Sequence, residues 1–304
     1  MENQIPKSAF RNSQFITVTL AEAIYQAAQR LSVHGVSNAR LDAEILLSRT
    51  FMRDRAWLII HRDESLDEAQ RTLFEDAVNR RAQREPLQYI TGEQEFWGLD
   101  FSVTPDVLIP RPETELVVEA ALKIIQTGGG QVTIVDLCVG SGCIAVSLAK
   151  EADAACIFAT DKSDRALAIA RENARKHDVS DRIRFLEGDL FEPLAELDLH
   201  GMVDIIVSNP PYVRSEDLPG LQPEVRDFEP ELALIAGPKG TEIQQRIIGT
   251  APEFLKKHGV LIMEMGQGQS GALMRMVNDA GRYELPEIMK DLTGIERVIV
   301  ARKK

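Results

Sequence analysis

Through the first 85 positions apolar residues recur every three or four places, whereas from residue 131 they gather into short unbroken runs. The first pattern predicts amphipathic helices and the second predicts strands buried on both faces. Thr19-Leu20-Ala21-Glu22 reads as a capping box ahead of Leu20, Ile24, Ala27, Ala28 and Leu31, with Gly35 as the stop. Asn38 is placed to cap a second helix carrying Leu41, Ile45, Leu46 and Phe51, and Trp57–Ile60 suggests a short third. Ser65-Leu66-Asp67-Glu68 reads as another capping box, opening a helix that presents Leu73, Phe74, Ala77 and Val78 and stops before Pro86. Residues 1–86 are therefore expected to form a small helical domain with a polar, neutral surface, its His34 and His61 lying at the surface or at caps rather than acting as ligands.

Residues 87–109 change character. Tyr89, Ile90, Phe96, Trp97, Leu99, Phe101 and Val103, punctuated by Gly92 and Gly98, predict a β-hairpin joint. Pro105 and Pro110-Arg111-Pro112 stiffen the next segment, and Glu113-Thr114-Glu115 opens a helix with acid at its positive end. Residues 110–304 then alternate strand and helix. Val132–Leu137, Cys156–Asp161, Ile183–Glu187, Val203–Ser208 and Val260–Met265 are the predicted buried strands, with a helix over Asp164–His177 between two of them. The expected class is α/β, a parallel sheet covered on both faces. Tyr283–Ile288 and Arg297–Ala301 could close it with an antiparallel edge hairpin.

Composition narrows the function classes. The chain has 304 residues, enough for two domains, and no apolar run approaches the ~20 residues that span a bilayer. Its first seven residues contain no apolar leader, and three cysteines suit free thiols in a reducing cytoplasm. Net charge is −12; twelve basic and twelve acidic residues cancel over 1–85, so the other 23 basic and 35 acidic residues carry all of it. Docking on a nucleic-acid duplex normally needs a basic stripe, and none is visible.

Two segments carry the chemistry. The first predicted strand runs into Asp136-Leu137-Cys138-Val139-Gly140-Ser141-Gly142 and then a helix, a loose dinucleotide fingerprint, with Asp161 at the end of the next strand where a ribose is held. NAD and S-adenosylmethionine (SAM) would both use Asp161. Asp136 separates them: a carboxylate beside the glycine turn repels a pyrophosphate but suits a ligand carrying ammonium and sulfonium charges. Asp189-Leu190, after the third strand, is either a turn or an acceptor for an adenine amine. The fourth strand ends in Asn209-Pro210-Pro211-Tyr212. Two prolines fix φ and remove two N–H donors, so the segment offers only acceptors. With the Asn209 amide oxygen and the flat Tyr212 ring, it is shaped for a planar group bearing NH2.

Together these motifs resemble class I SAM-dependent methyltransferases acting on a planar nitrogen. The helical N-terminus, the Tyr89…Gly92…Phe96-Trp97-Gly98…Phe101 joint, Val107–Glu115, Phe228–Leu234 and Gly294–Val300 further resemble the PrmC/HemK family, from about residue 18 to the end. The resemblance implies a seven-stranded Rossmann-like sheet with SAM held by Asp136, Cys138, Val139, Gly140, Ser141, Gly142, Asp161, Asp189, Leu190 and Asn209. It implies a monomeric cytoplasmic enzyme that methylates the glutamine amide in the Gly-Gly-Gln tripeptide of class I peptide chain release factors. Asn209 Oδ1 and the Pro210 carbonyl would accept the amide hydrogens, with Pro211 and Tyr212 completing the substrate site. The scattered His177, His200 and His258 offer no base, and positioning is the expected source of rate. Arg111 and Glu113 would gate the site, bind SAM or pair structurally, and Glu229 and Pro230 would border the substrate groove. One departure is Cys138, where the family pattern has glycine: a side chain there disfavours positive φ, so the turn is expected to sit differently. Rival readings are a ribosomal-protein glutamine methyltransferase, a nucleic-acid adenine methyltransferase, and a SAM-binding protein without catalysis.

Overall fold

Thr19 Oγ1 accepts the backbone N–H of Glu22 at 3.3 Å while Glu22 takes that of Thr19 at 3.0 Å, and helix α1 (Leu20–Val33) starts there. The computed structural model describes residues 18–127 and 130–304, in two units that meet between Ile90 and Thr91. The first seven residues, on which the expectation of no apolar leader rests, lie outside the described residues. α1 is followed by α2 (Ala39–Phe51), α3 (Arg55–Ile60), α4 (Glu68–Ala82) and α5 (Leu87–Thr91). Leu20, Leu31, Leu46, Leu47, Phe74 and Val78 form their core, and the buried Arg81 Nε donates to Asp42 at 2.7 Å.

Several local expectations change. α4 is capped by Asp67 paired with Gln70, not by Ser65 with Glu68, because Ser65 is committed to a bridge with Thr19. Asn38 precedes α2 without a side-chain cap bond. Residues 87–91 are helical rather than the start of the hairpin: Pro86 presets a helix start, and Leu87 and Ile90, three apart, pack on the helical core. Nor is the helical surface uniformly polar, since Val33, Met52, Ile59, Ile60 and Leu73 are all exposed.

In the second unit β1 (Glu93–Phe96) and β2 (Leu99–Ser102) pair antiparallel around Trp97 and Gly98, both at positive φ as a two-residue hairpin turn requires. A 3-10 turn, Pro112–Thr114, leads into α6 (Glu115–Thr127). Then come β3 (Val132–Leu137), α7 (Cys143–Glu151), β4 (Ala155–Asp161), α8 (Asp164–Lys176), β5 (Ile183–Glu187), β6 (Val203–Ser208) and β7 (Val213–Arg214). α9 (Pro223–Phe228), α10 (Glu231–Leu234), β8 (Ile235–Gly237), α11 (Glu242–Phe254), β9 (Leu255–Glu264), α12 (Ser270–Asp279), β10 (Glu287–Lys290) and β11 (Glu296–Arg302) complete it.

The main sheet has seven strands in the order β10-β11-β9-β6-β3-β4-β5. β3, β4, β5, β6 and β9 run parallel, and β11 is antiparallel to both neighbours. Side chains alternate between faces as the pleat demands: Ile134, Ile205, Val207 and Ile262 pack with α6, α7 and α8, while Val135, Ile206, Leu261 and Met263 pack with α11 and α12. The β7–β8 pair forms a separate parallel ribbon beyond β6. No helix among the described residues is long and apolar enough to cross a membrane.

Candidate active site

The chain leaves β3 for β4 and β5 on one side, then returns to place β6 on the other. Such a switch point opens a crevice at the carboxyl ends of the strands. A cavity lies there, lined by Cys138–Ser141 after β3, Asp161 at the end of β4, Asp189 and Leu190 after β5, and Asn209 and Pro211 after β6. It thus gathers residues widely separated in sequence. Asp136, Gly142, Pro210 and Tyr212 adjoin these residues in the chain without being among those that line it.

The turn after β3 bends through three left-handed residues, Cys138 (φ 61°), Gly140 (φ 53°) and Gly142 (φ 83°). Cys138 therefore takes the positive φ that its side chain was expected to disfavour. Gly142 is also needed for closeness: a Cβ there would lie 3.1 Å from that of Ala170 on α8. Asp161 joins two loops, accepting Gly140 N–H and Ser163 N–H at 2.9 Å each. Burial raises its carboxyl pKa, and those N–H groups oppose the rise. Beneath the turn Asp136 is 1% exposed, and neither carboxylate oxygen has a hydrogen-bond partner. Burial lifts its pKa well above the usual range; the Ala145 N–H offsets part of this without a bond of normal geometry. The Cys143 thiol is pushed by burial up to about 12 and Cys138 higher still, so both stay protonated.

Across the cavity a polar chain stands behind Asn209. Its Nδ2 donates to Thr114 Oγ1 at 3.0 Å, and that hydroxyl donates to Glu264 Oε2 at 2.6 Å. Tyr212 donates its hydroxyl to the other oxygen of Glu264 at 3.2 Å. Glu264 is 2% exposed, and burial raises its pKa to about 7 against the lowering effect of those two donors. Burial, and then the Glu264 charge, push the Tyr212 phenol upward. Gln269 braces the same loop, donating to the Tyr212 and Gly240 carbonyls at 2.9 Å each and accepting the Gly266 N–H at 2.9 Å.

At the rim, Asp189 is held by Arg246 at 3.1 Å and Lys162 at 3.7 Å. Leu190 lies at positive φ with its carbonyl taken by Thr160 Oγ1 at 2.9 Å. Arg111 pairs with the buried Glu229 at 2.5 Å, whose second oxygen has no partner, and the adjacent Pro230 lines the cavity. Glu113 sits 3.7 Å from Arg297. Thr114, Arg246 and Glu264 are the site residues that sequence reasoning missed. The available signal was a lone acid, Glu264, in the apolar run from Val260 to Met265.

Comparison with known proteins fits this arrangement. The PrmC N-terminal domain matches residues 22–92, and the Methyltransferase small domain matches residues 114–219. The chain is 43% identical over 272 residues to the release factor glutamine methyltransferase of Geobacter sulfurreducens, covering 90% of this chain and 92% of that one. It is 41% identical to that of Nitratidesulfovibrio vulgaris, covering 94% and 95%. Among solved structures the hMettl16 catalytic domain, in complex with a 3'UTR hairpin, superposes with a TM-score of 0.55 at 17% identity, covering 74% of this chain and 81% of that one. That likeness concerns the fold, which many substrates share. With two relatives matched over nearly their whole length, and with the sheet and glycine turn in place, this chain belongs to the family of release factor glutamine methyltransferases.

Proposed function

We propose that this protein methylates the side-chain amide nitrogen of the glutamine in the Gly-Gly-Gln tripeptide of class I peptide chain release factors, using SAM, in the cytoplasm. The observation that carries the reading is the set of Asn209, which lines the cavity: its NH2 is tied back to Thr114, and its Oδ1 makes no hydrogen bond among the described residues. An acceptor placed so suits a substrate NH2.

The residues present fit SAM. Asp161 uses one lone pair of each oxygen on backbone N–H groups, which leaves acceptor capacity for ribose hydroxyls. The unpartnered carboxyl of Asp136 beneath the turn complements a cationic ligand and opposes a pyrophosphate. Asp189 at the rim can accept from an adenine amine while Arg246 and Lys162 steady it. When bound, SAM supplies an electrophilic methyl group.

The chain's own contribution is geometric. The amide nitrogen of glutamine is a poor nucleophile because its lone pair is delocalised. Asn209 Oδ1 and the Pro210 carbonyl would each take one amide hydrogen and aim the lone pair at the methyl group. Orientation of this kind can lower a barrier by several kcal/mol, roughly, and fixed acceptors gain strength as positive charge grows on nitrogen. No histidine lines the cavity, so the design asks for no base before transfer. The exposed apolar side chains of the helical unit are suited to gripping the body of a protein substrate. The test is incubation with SAM and a purified release factor, then mass spectrometry of the Gly-Gly-Gln peptide. A gain of about 14 Da on glutamine is expected, and its absence there with a gain elsewhere would replace this substrate.

A further inference from the structure

We propose that Glu264 is a positioning residue which, through the Thr114 hydroxyl, fixes the Asn209 side chain with its oxygen toward the substrate. The inference rests on the substrate reading above, in which an NH2 must meet an acceptor.

A carboxylate only accepts hydrogen bonds, and a threonine hydroxyl has one hydrogen to give. With Glu264 Oε2 at 2.6 Å, Thr114 gives that hydrogen to the carboxylate, and its lone pair is left to accept from Asn209 Nδ2 at 3.0 Å. An asparagine amide has nearly the same shape after a half-turn of its plane. The direction of the chain decides between the two orientations and leaves Oδ1 on the cavity side. Tyr212, donating to Oε1 at 3.2 Å, removes the other way for the carboxyl to satisfy itself.

A purely structural role would not require charge here. Glu264 has no direct ion-pair partner among the described residues; the charged groups acting on it are Glu113, which raises its pKa, and Arg297, which lowers it. A buried carboxylate held only by hydroxyls costs more than a neutral side chain of the same size. What it provides is polarity along a line of hydrogen bonds. Were Glu264 protonated on Oε2, it could donate to Thr114, whose hydrogen would then turn to Asn209 and favour the reversed amide. Its pKa of about 7 puts that reversal within reach of mild acid.

Three measurements test this. In wild type, the Asn209 side-chain NH2 resonances, assigned by their loss in Asn209→Ser, should shift between pH 5 and 8 in the free protein and stay still in Glu264→Gln. Thr114→Val should lower single-turnover methyl transfer to a release factor at saturating SAM by about tenfold to a hundredfold, less than loss of the acceptor itself, while Thr114→Ser restores it. The acid limb of the wild-type rate profile should vanish in Glu264→Gln. Unmoved Asn209 resonances, or a Thr114→Val enzyme at the wild-type rate, would overturn the proposal. If wild type itself leaves the release factor unmodified, the substrate reading fails, and the resonances alone decide the role of Glu264.

Discussion

Asp161 accepts the backbone N–H of Gly140 at 2.9 Å, so the end of β4 holds the glycine turn that succeeds β3. The same carboxylate takes the N–H of Ser163, whose hydroxyl caps α8. Asp161→Ala is expected to weaken SAM binding by about 1.5–3 kcal/mol, the range for hydrogen bonds to a charged group. Asp161→Asn keeps one acceptor and should lose less. Calorimetric titration measures both, and equal affinity in all three proteins would place the ribose elsewhere.

Cys138 holds φ at 61° with a side chain that makes this conformation costly, roughly 1–2 kcal/mol. Glycine removes the strain but adds freedom to the unfolded chain, about 0.5–1 kcal/mol. Cys138→Gly should therefore match or slightly exceed wild type in denaturant midpoint and in SAM affinity. A clear loss of either would show that the thiol packs in a way that outweighs the strain.

Asn209→Ala removes the acceptor and should slow single-turnover transfer by about 10²–10³. Asn209→Asp should be as harmful despite its shape, because a carboxylate beside the sulfonium binds the cation instead of orienting the amide. Neither change disturbs the core, so circular dichroism should be unchanged. A folded Asn209→Ala enzyme at the wild-type rate would reduce the loop to a structural turn.

Glu264 makes stability depend on pH with a definite sign. Its folded pKa, about 7, lies above the ordinary 4.5. The unfolded chain therefore ionises first, and stability falls as pH rises through that window. The contribution is complete below about 4.5 and lost by about 7, at most roughly 3 kcal/mol. Glu264→Gln does not titrate, so urea unfolding should show it gaining on wild type between pH 5 and pH 8. A constant difference across that range would mean the carboxyl is not perturbed.

Removing residues 1–90 leaves the sheet and its cavity, which draw every strand and lining residue from beyond Thr91. The shortened protein should bind SAM normally yet lose methylation of an intact release factor. Full activity on the intact factor would mean that the exposed apolar helical surface serves another purpose.

Much of the fold was legible because parallel strands announce themselves: Val132–Leu137, Ile183–Glu187 and Val203–Ser208 are the strands observed. The Thr19 cap was equally plain, since both its partners lie within four residues. The α4 cap was not, because Ser65 and Asp67 are both good caps and only the distant pairing of Ser65 with Thr19 decides. β9 begins at Leu255, five residues before its apolar run, because Leu255 already pairs with Val203 of β6 ahead of a register shift. Of the site, the motif residues could be read locally. Glu264 could not: its partners Thr114 and Tyr212 lie 150 and 52 residues away. Nor could the left-handed Cys138, whose conformation is imposed by the turn around it.

The alternation of Ile205, Ile206 and Val207 between the two faces of the sheet also bears on how this protein can change over generations. Exchanging one apolar side chain for another along β6 leaves Asn209 where it is. Inserting or deleting a single residue would turn every later side chain of the strand to the opposite face and swing Asn209 away from Thr114. Drift in β6 is thus confined to substitution, and tolerance for altered length is left to exposed turns, such as the one at Leu292 and Thr293.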